Sequence, residues 1–137
     1  MGKDIVIFDD DRNYTVLLSE ESEELGLHPI VFTNASEALE HLTQRQEAPQ
    51  GYLIDMKPCK EPAEGFQEAP DKFPELAIPE KIFDYANSRG WTNHFYFMSS
   101  HLSSHDEDVL ARTRAQFILK GMKSIKPKLE MIAKESK

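Results

Sequence analysis

Five polar residues stand where apolar runs end: Asp9 and Asp10 after Ile5 to Phe8, Asp55 after Tyr52 to Ile54, Ser99 after Phe95 to Met98, and Lys120 after Phe117 to Leu119. If those runs are strands pointing the same way in one sheet, their carboxyl ends share an edge and the five side chains meet there. Three carboxylates brought together repel one another and raise one another's pKa unless a divalent cation or an ammonium group offsets the charge. Mg²⁺ suits such a set, because it is a hard cation that takes carboxylate, carbonyl and water oxygens in octahedral geometry. With the charge offset, Asp55 can stay ionised and act as a nucleophile towards phosphorus. The Ser99 hydroxyl and the Lys120 ammonium would then stabilise the oxygens of the transferring phosphoryl group.

The elements needed to position these residues can be read along the chain. Ile5 to Phe8 is a short β-branched and aromatic run cut off by Asp9, Asp10 and Asp11, which predicts a buried strand. From Asn13, Tyr14, Leu17, Leu18 and Leu25 keep helical spacing up to Gly26, so Leu17, Leu18 and Leu25 are expected in the core. A second run, Ile30 to Phe32, follows Pro29, and Asn34 with Glu37 resembles a capping box opening a helix through Ala38, Leu39 and Leu42. Tyr52 to Ile54 is the third strand. Between Lys57 and Pro79, prolines alternate with charged residues, predicting a long loop or irregular insertion. A helix then starts at Pro79 and carries Ile82, Phe83 and Ala86 before Gly90. Phe95 to Met98 is strand four, Asp106 opens a helix through Val109, Leu110 and Ala115, and Phe117 to Leu119 is strand five. Ile125 to Ala133 closes the chain as a helix with Pro127 in its first turn. Strands alternating with helices predict an α/β domain: a five-stranded parallel sheet with helices on both faces and right-handed crossovers, (βα)5 and flavodoxin-like.

Composition bounds the function. A chain of 137 residues, 39% hydrophobic, is the size of one domain and can bury one core. A net charge of −8, from 24 acidic and 16 basic residues, argues against a surface that neutralises nucleic-acid phosphates, so no direct nucleic-acid binding is expected. The same balance is compatible with a cation site, but on composition alone solubility is the readier explanation of it. The lone Cys59 excludes an intrachain disulfide and fits the cytoplasm; in its loop, with no His–Asp partner at a suggestive spacing, it is expected to be unreactive. No apolar run approaches the roughly 18 residues that would cross a bilayer, so no membrane insertion is expected. His101 and His105 lack regular ligand spacing, and no transition metal is expected.

The segments IVIFDDD, YLIDMKP, FYFMSSH and FILKG, in this order and at these spacings, resemble the receiver domains of two-component response regulators over nearly the whole chain, in the stand-alone, chemotaxis-regulator-like form. The resemblance implies a single receiver domain over residues 1–137. It makes Asp9 and Asp10 the acidic pair that binds Mg²⁺, with Asp10 the more direct ligand, Asp55 the phosphoacceptor, and the main-chain carbonyl of Lys57 a further metal contact. Ser99 resembles the hydroxyl residue that follows the phosphate, Lys120 the lysine that pairs with it, and Phe117 the aromatic residue whose rotamer reports phosphorylation. Such a domain catalyses its own phosphorylation and dephosphorylation and is not otherwise an enzyme. Its expected partners are a sensor histidine kinase or a histidine phosphotransfer protein upstream and a protein target downstream. Lys57, two residues beyond Asp55, and His101, two beyond Ser99, are expected over the path of attacking water, where Lys57 would occlude it and slow hydrolysis.

Two departures from the family pattern bear on the site. Gly121 follows Lys120 where the family usually has a proline, often through a cis peptide. A cis bond without proline costs about 2.5 to 4 kcal/mol, so a trans bond is expected. The span from Asp55 to Ser99 is also longer than in compact members, and the excess falls in the proline-rich stretch. Two rival readings are a degenerate receiver acting only as a protein-interaction module and a phosphatase of the haloacid dehalogenase type. The second rests on Asp9 to Asn13 loosely imitating an opening DxDx(T/V) motif, yet Asn13 stands at the fifth position and Asp55 would have no role. Asp11 is expected to be a solvated or helix-capping carboxylate rather than a third metal ligand.

Overall fold

A strand that is apolar at every position must be covered on both faces, and this chain supplies the cover by following each strand with a helix. In the computed structural model, which describes residues 3–56, 78–100 and 104–135, the elements are β1 (Asp4–Phe8), α1 (Arg12–Glu24), β2 (His28–Phe32), α2 (Ala35–Thr43), β3 (Gly51–Asp55), α3 (Ile78–Ser88), β4 (Phe95–Ser99), α4 (Ser104–Thr113), β5 (Gln116–Leu119) and α5 (Met122–Glu135). The strands form one parallel sheet in the order β2-β1-β3-β4-β5. The chain runs from β1 outward to β2, then returns past β1 to β3. Strand order therefore reverses between β1 and β3, which opens a crevice outside their carboxyl ends.

Alternating strand residues divide the core in two. Ile5, Ile7, Leu53, Tyr96, Met98 and Ile118 pack under Leu18 of α1 and Ile125, Leu129 and Ile132 of α5. Val6, Phe8, Tyr52, Ile54, Phe95 and Phe97 pack under Ala38 and Leu42 of α2, Ile82, Phe83 and Ala86 of α3, and Val109 of α4. Helix starts are set locally. The Asp11 carboxylate accepts the Asn13 and Tyr14 N–H groups, and the Asn34 side chain accepts Glu37 N–H at 3.1 Å. Past α1, Gly26 at φ +84° lets its own N–H reach Glu23 O while Leu27 N–H reaches Ser22 O, the paired bonds of a Schellman stop.

Several sequence expectations need correction. Leu17 is not core: it is 40% exposed, while Leu18 is fully buried. The buried stripe of α1 runs Thr15, Leu18, Ser22, and Leu17 lies about 100° round the helix from Leu18. Leu25 is partly buried against the core and forms the C-cap. β2 begins at His28, so Pro29 sits inside a strand, tolerated because β2 is an edge. α5 starts at Met122 rather than Ile125, which places Pro127 inside the helix instead of in its first turn. There it removes a donor to the Lys123 carbonyl, and its exposed position spares the core packing. The proline-rich stretch from Lys57 to Pro79 lies outside the described residues except for Ile78 and Pro79, which belong to α3.

Candidate functional site

Asp9 follows β1 directly, and Asp55 is the last residue of β3, so the β1/β3 pairing that sets Phe8 beside Ile54 also brings these two acids to the crevice. Asp9 and Asp55 are buried, whereas Asp10, one residue further into the turn, is exposed. Carboxylate oxygens from Asp9, Asp10 and Asp55 all lie within 4.8 Å of one another. Lys120 closes the group from β5. Its Nζ lies 2.7 Å from Asp9 Oδ2 and 3.5 Å from Asp55 Oδ2. Ser99, buried at the end of β4, pairs in register with Leu119, and its carbonyl accepts the Lys120 N–H at 2.9 Å. The five polar strand-end residues of the sequence thus occupy one edge, as the parallel arrangement required.

The electrostatics follow from this crowding. Although Asp10 as a residue is exposed, partial desolvation of its carboxyl beside its neighbours raises its pKa above the ordinary value, and repulsion from Asp9 adds to the rise; its hydrogen bond with Asp55 and the attraction of Lys120 only partly oppose it. Burial of Lys120 disfavours its charge, but the hydrogen bond to Asp9 and the attraction of Asp55 outweigh burial and hold its pKa above the ordinary lysine value. Asp11, as N-cap, turns its carboxylate to the α1 N–H groups, which fits the capping role expected of it. Its own N–H donates to Asp9 Oδ1 at 2.9 Å, fixing the Asp9 carboxylate in the turn.

Phe117 is partly buried and packs against the core on the α2, α3 and α4 face. Lys57 and His101, expected to govern access of water, lie outside the described residues, as does Cys59. No peptide among the described residues is cis, so the Lys120–Gly121 bond is trans as expected. One participant has no signature in the sequence. Tyr14, which helical spacing assigns only to the apolar stripe of the first helix, accepts the Gly121 N–H on its hydroxyl at 2.9 Å, and its ring centroid lies 5.4 Å from Lys120 Nζ. No local pattern links it to Gly121, 107 residues away; the one hint is an aromatic residue with a polar tip near the start of a helix that leaves the acidic turn.

No family model matches the sequence, and no curated protein sequence matches it. Solved structures match throughout its length. The receiver domain of a Francisella response regulator is 13% identical, with 98% of this chain and 99% of that chain covered, at a TM-score of 0.67. A CheY-like receiver-domain protein from Methanospirillum hungatei is 19% identical, with 98% and 99% covered, at 0.65. The response regulator TrrA from Thermotoga maritima, solved in complex with Mg²⁺-BeF, is 17% identical, with 95% and 98% covered, at 0.66. The fold is therefore that of response-regulator receiver domains: a CheY-like, flavodoxin-type sheet with five helices. No helix among the described residues is long and apolar enough to cross a membrane.

Proposed function

We propose that this chain is a phosphoacceptor receiver domain, in which Asp55 takes a phosphoryl group by Mg²⁺-dependent self-catalysis and thereby switches a protein-binding surface. The observation that carries the reading is the meeting of buried Asp55 with Asp9, Asp10 and the Lys120 ammonium at the point where strand order reverses. The donor set fits Mg²⁺: all three side chains offer hard carboxylate oxygens, and exposed Asp10 leaves the group open to solvent. Asp9, Asp10 and Asp55 would hold the ion, with the Lys57 main-chain carbonyl as a further contact. When bound, Mg²⁺ supplies the positive charge that lets the carboxylates stay ionised and offsets charge on the phosphoryl oxygens.

The chain's own groups do the rest. An Asp55 oxygen attacks phosphorus, so that a new O–P bond forms as the bond to the donor's leaving atom breaks. That atom keeps the electron pair: acetate oxygen from acetyl phosphate, or an imidazole nitrogen, which takes up a proton, from a phosphohistidine. Lys120 and the Ser99 hydroxyl donate to the phosphoryl oxygens. A phosphohistidine donor makes a sensor histidine kinase or a histidine phosphotransfer protein the upstream partner. Ser99 moving to the phosphate and Phe117 turning inward would alter the surface of α4, β5 and α5 for a downstream protein, since phosphate then interacts differently with two states. The phosphatase reading is disfavoured because Asp11, the second acid of its motif, is spent on capping α1.

The test is a titration with Mg²⁺ and beryllium fluoride, a non-transferable phosphoryl mimic, followed by amide NMR. Saturable shifts at Asp9, Asp10, Asp55, Ser99 and Lys120, spreading to Phe117 and absent from Asp55→Asn, are expected. A spectrum that Mg²⁺ with the mimic leaves unchanged would overturn the reading.

A further inference from the structure

We infer that Tyr14 is a positioning residue for phosphoryl transfer: from α1 it fixes the Lys120–Gly121 peptide with its hydroxyl and flanks the Lys120 ammonium with its ring. The inference rests on the role given to Lys120 above and extends it to a residue on another element.

Lys120 is a long, flexible side chain that must deliver its ammonium to one place. Its backbone is held on both sides. On the amino side, its N–H donates to Ser99 O at 2.9 Å, the last rung of the β4/β5 ladder. On the carboxyl side the sheet has ended, and the next N–H, that of Gly121, donates to the Tyr14 hydroxyl at 2.9 Å. The peptide unit is planar, so fixing the Gly121 N–H also fixes the plane in which the Lys120 carbonyl lies, and with it the exit of the chain from Lys120. A proline at this position would have no N–H to offer.

Gly121 is at φ +144°, a conformation in which a residue with a side chain is strained, although nothing lies within 4 Å of where its Cβ would be. The glycine is thus required by the backbone path and not by crowding: its φ sets how the chain leaves this peptide towards α5, while the peptide plane itself is held by the bond to Tyr14. The ring adds a second restraint: with Lys120 Nζ 5.4 Å from its centroid, the ring face flanks the ammonium while Asp9 and Asp55 draw it from the front. Burial raises the Tyr14 phenol above its ordinary pKa, so it stays a neutral hydroxyl at working pH.

The experiment compares wild type, Tyr14→Phe, which keeps the ring, and Tyr14→Leu, which removes ring and hydroxyl. In metal-free, unphosphorylated protein, NMR follows exchange of the Gly121 amide and the side-chain signals of Lys120. The wild-type Gly121 amide should be protected, Tyr14→Phe should speed its exchange about tenfold or more and shift the Lys120 signals, and Tyr14→Leu should shift them further. With acetyl phosphate and Mg²⁺, the maximal rate of Asp55 phosphorylation should fall about three- to tenfold in Tyr14→Phe, with the donor concentration at half-maximal rate and the affinity for Mg²⁺ little changed. A purely structural tyrosine would lower the melting temperature and leave the maximal rate alone, and with the ring kept in Tyr14→Phe it would leave the Lys120 signals alone as well; in Tyr14→Leu the lost ring current shifts them in either case. An unprotected Gly121 amide in the wild type, or unmoved Lys120 signals in Tyr14→Phe, overturns the proposal. If the wild type takes up no phosphoryl group, the functional reading fails, and the NMR signals still decide whether Tyr14 holds the lysine.

Discussion

Lys120 at the end of β5 places its ammonium 2.7 Å from the Asp9 carboxylate at the end of β1, although β3 and β4 lie between those two strands in the sheet. The contact ties one side of the sheet to the other across the crevice, and it puts a positive charge among three carboxylates. Lys120, with its pKa raised, stays protonated at neutral pH. Its contribution to stability is present below the unfolded value and is lost only as pH rises through the higher folded one.

Removing that charge should be costly. Lys120→Ala leaves buried Asp9 and Asp55 facing Asp10 with no ammonium between them, and a loss of about 3 kcal/mol is expected at pH 7 in metal-free buffer. Urea unfolding with a chelator present measures it. Added Mg²⁺ should recover a larger increment of stability in the variant than in the wild type, because the ion then offsets more uncompensated charge; an equal or smaller increment would contradict this balance.

Asp10 and Asp11 are neighbours with different work. A carboxyl raised above its unfolded value contributes stability at low pH that is lost as pH rises through the folded value, so ionised Asp10 is a cost to the metal-free protein at neutral pH. Asp10→Asn should therefore raise metal-free stability while weakening Mg²⁺ binding by on the order of tenfold or more. Asn caps a helix as well as Asp does, so Asp11→Asn should change stability by no more than about 0.5 kcal/mol and leave Mg²⁺ binding near wild type. Calorimetric titration of both variants reads the contrast, and equal losses of affinity would speak against it.

The same division between local pattern and three-dimensional context decides what is legible in the sequence. An apolar run followed by or ending on Asp9, Asp55 or Ser99 is a local signal, and a parallel sheet converts like positions on different strands into neighbours, so residue pattern suffices to bring these strand ends to one edge. The helical phase of α1 is not legible, because Leu17 and Leu18 are equally apolar and their positions differ only by the angle at which the helix meets the sheet. Nor is the bond from Gly121 to Tyr14, which no spacing announces, nor the start of α5 at Met122, since Pro127 in a helix interior runs against intrinsic preference. Leu18→Ala should cost about 3 kcal/mol and Leu17→Ala within about 0.5 kcal/mol; comparable losses on denaturation would mean that the buried stripe is misplaced.

At the opposite end of the sheet, Asp4 accepts His28 Nδ1 at 3.0 Å and the Arg45 guanidinium at 3.1 Å. Burial alone would raise its pKa, but the bonds and charges of His28 and Arg45 outweigh it and hold the carboxyl below its ordinary value. A depressed carboxyl contributes stability above its unfolded value that is lost as pH falls through the folded one. Asp4→Asn should thus cost about 0.5 to 1 kcal/mol at pH 7, discounted for partial exposure, and progressively less as acid protonates the wild-type carboxyl. Melting curves of both proteins from neutral pH to well below the ordinary Asp range check it; a difference that does not shrink in acid argues against the ion pair.

The central claim is that Asp55 takes the phosphoryl group, and intact mass after incubation with acetyl phosphate and Mg²⁺ tests it most directly. One added phosphoryl is expected on the wild type, mapped to Asp55 by peptide fragmentation, lost when a chelator replaces Mg²⁺ and absent from Asp55→Asn, whose amide keeps the shape but is a poor nucleophile. A phosphoryl group on any other residue of the wild type, or none at all under saturating donor, contradicts it.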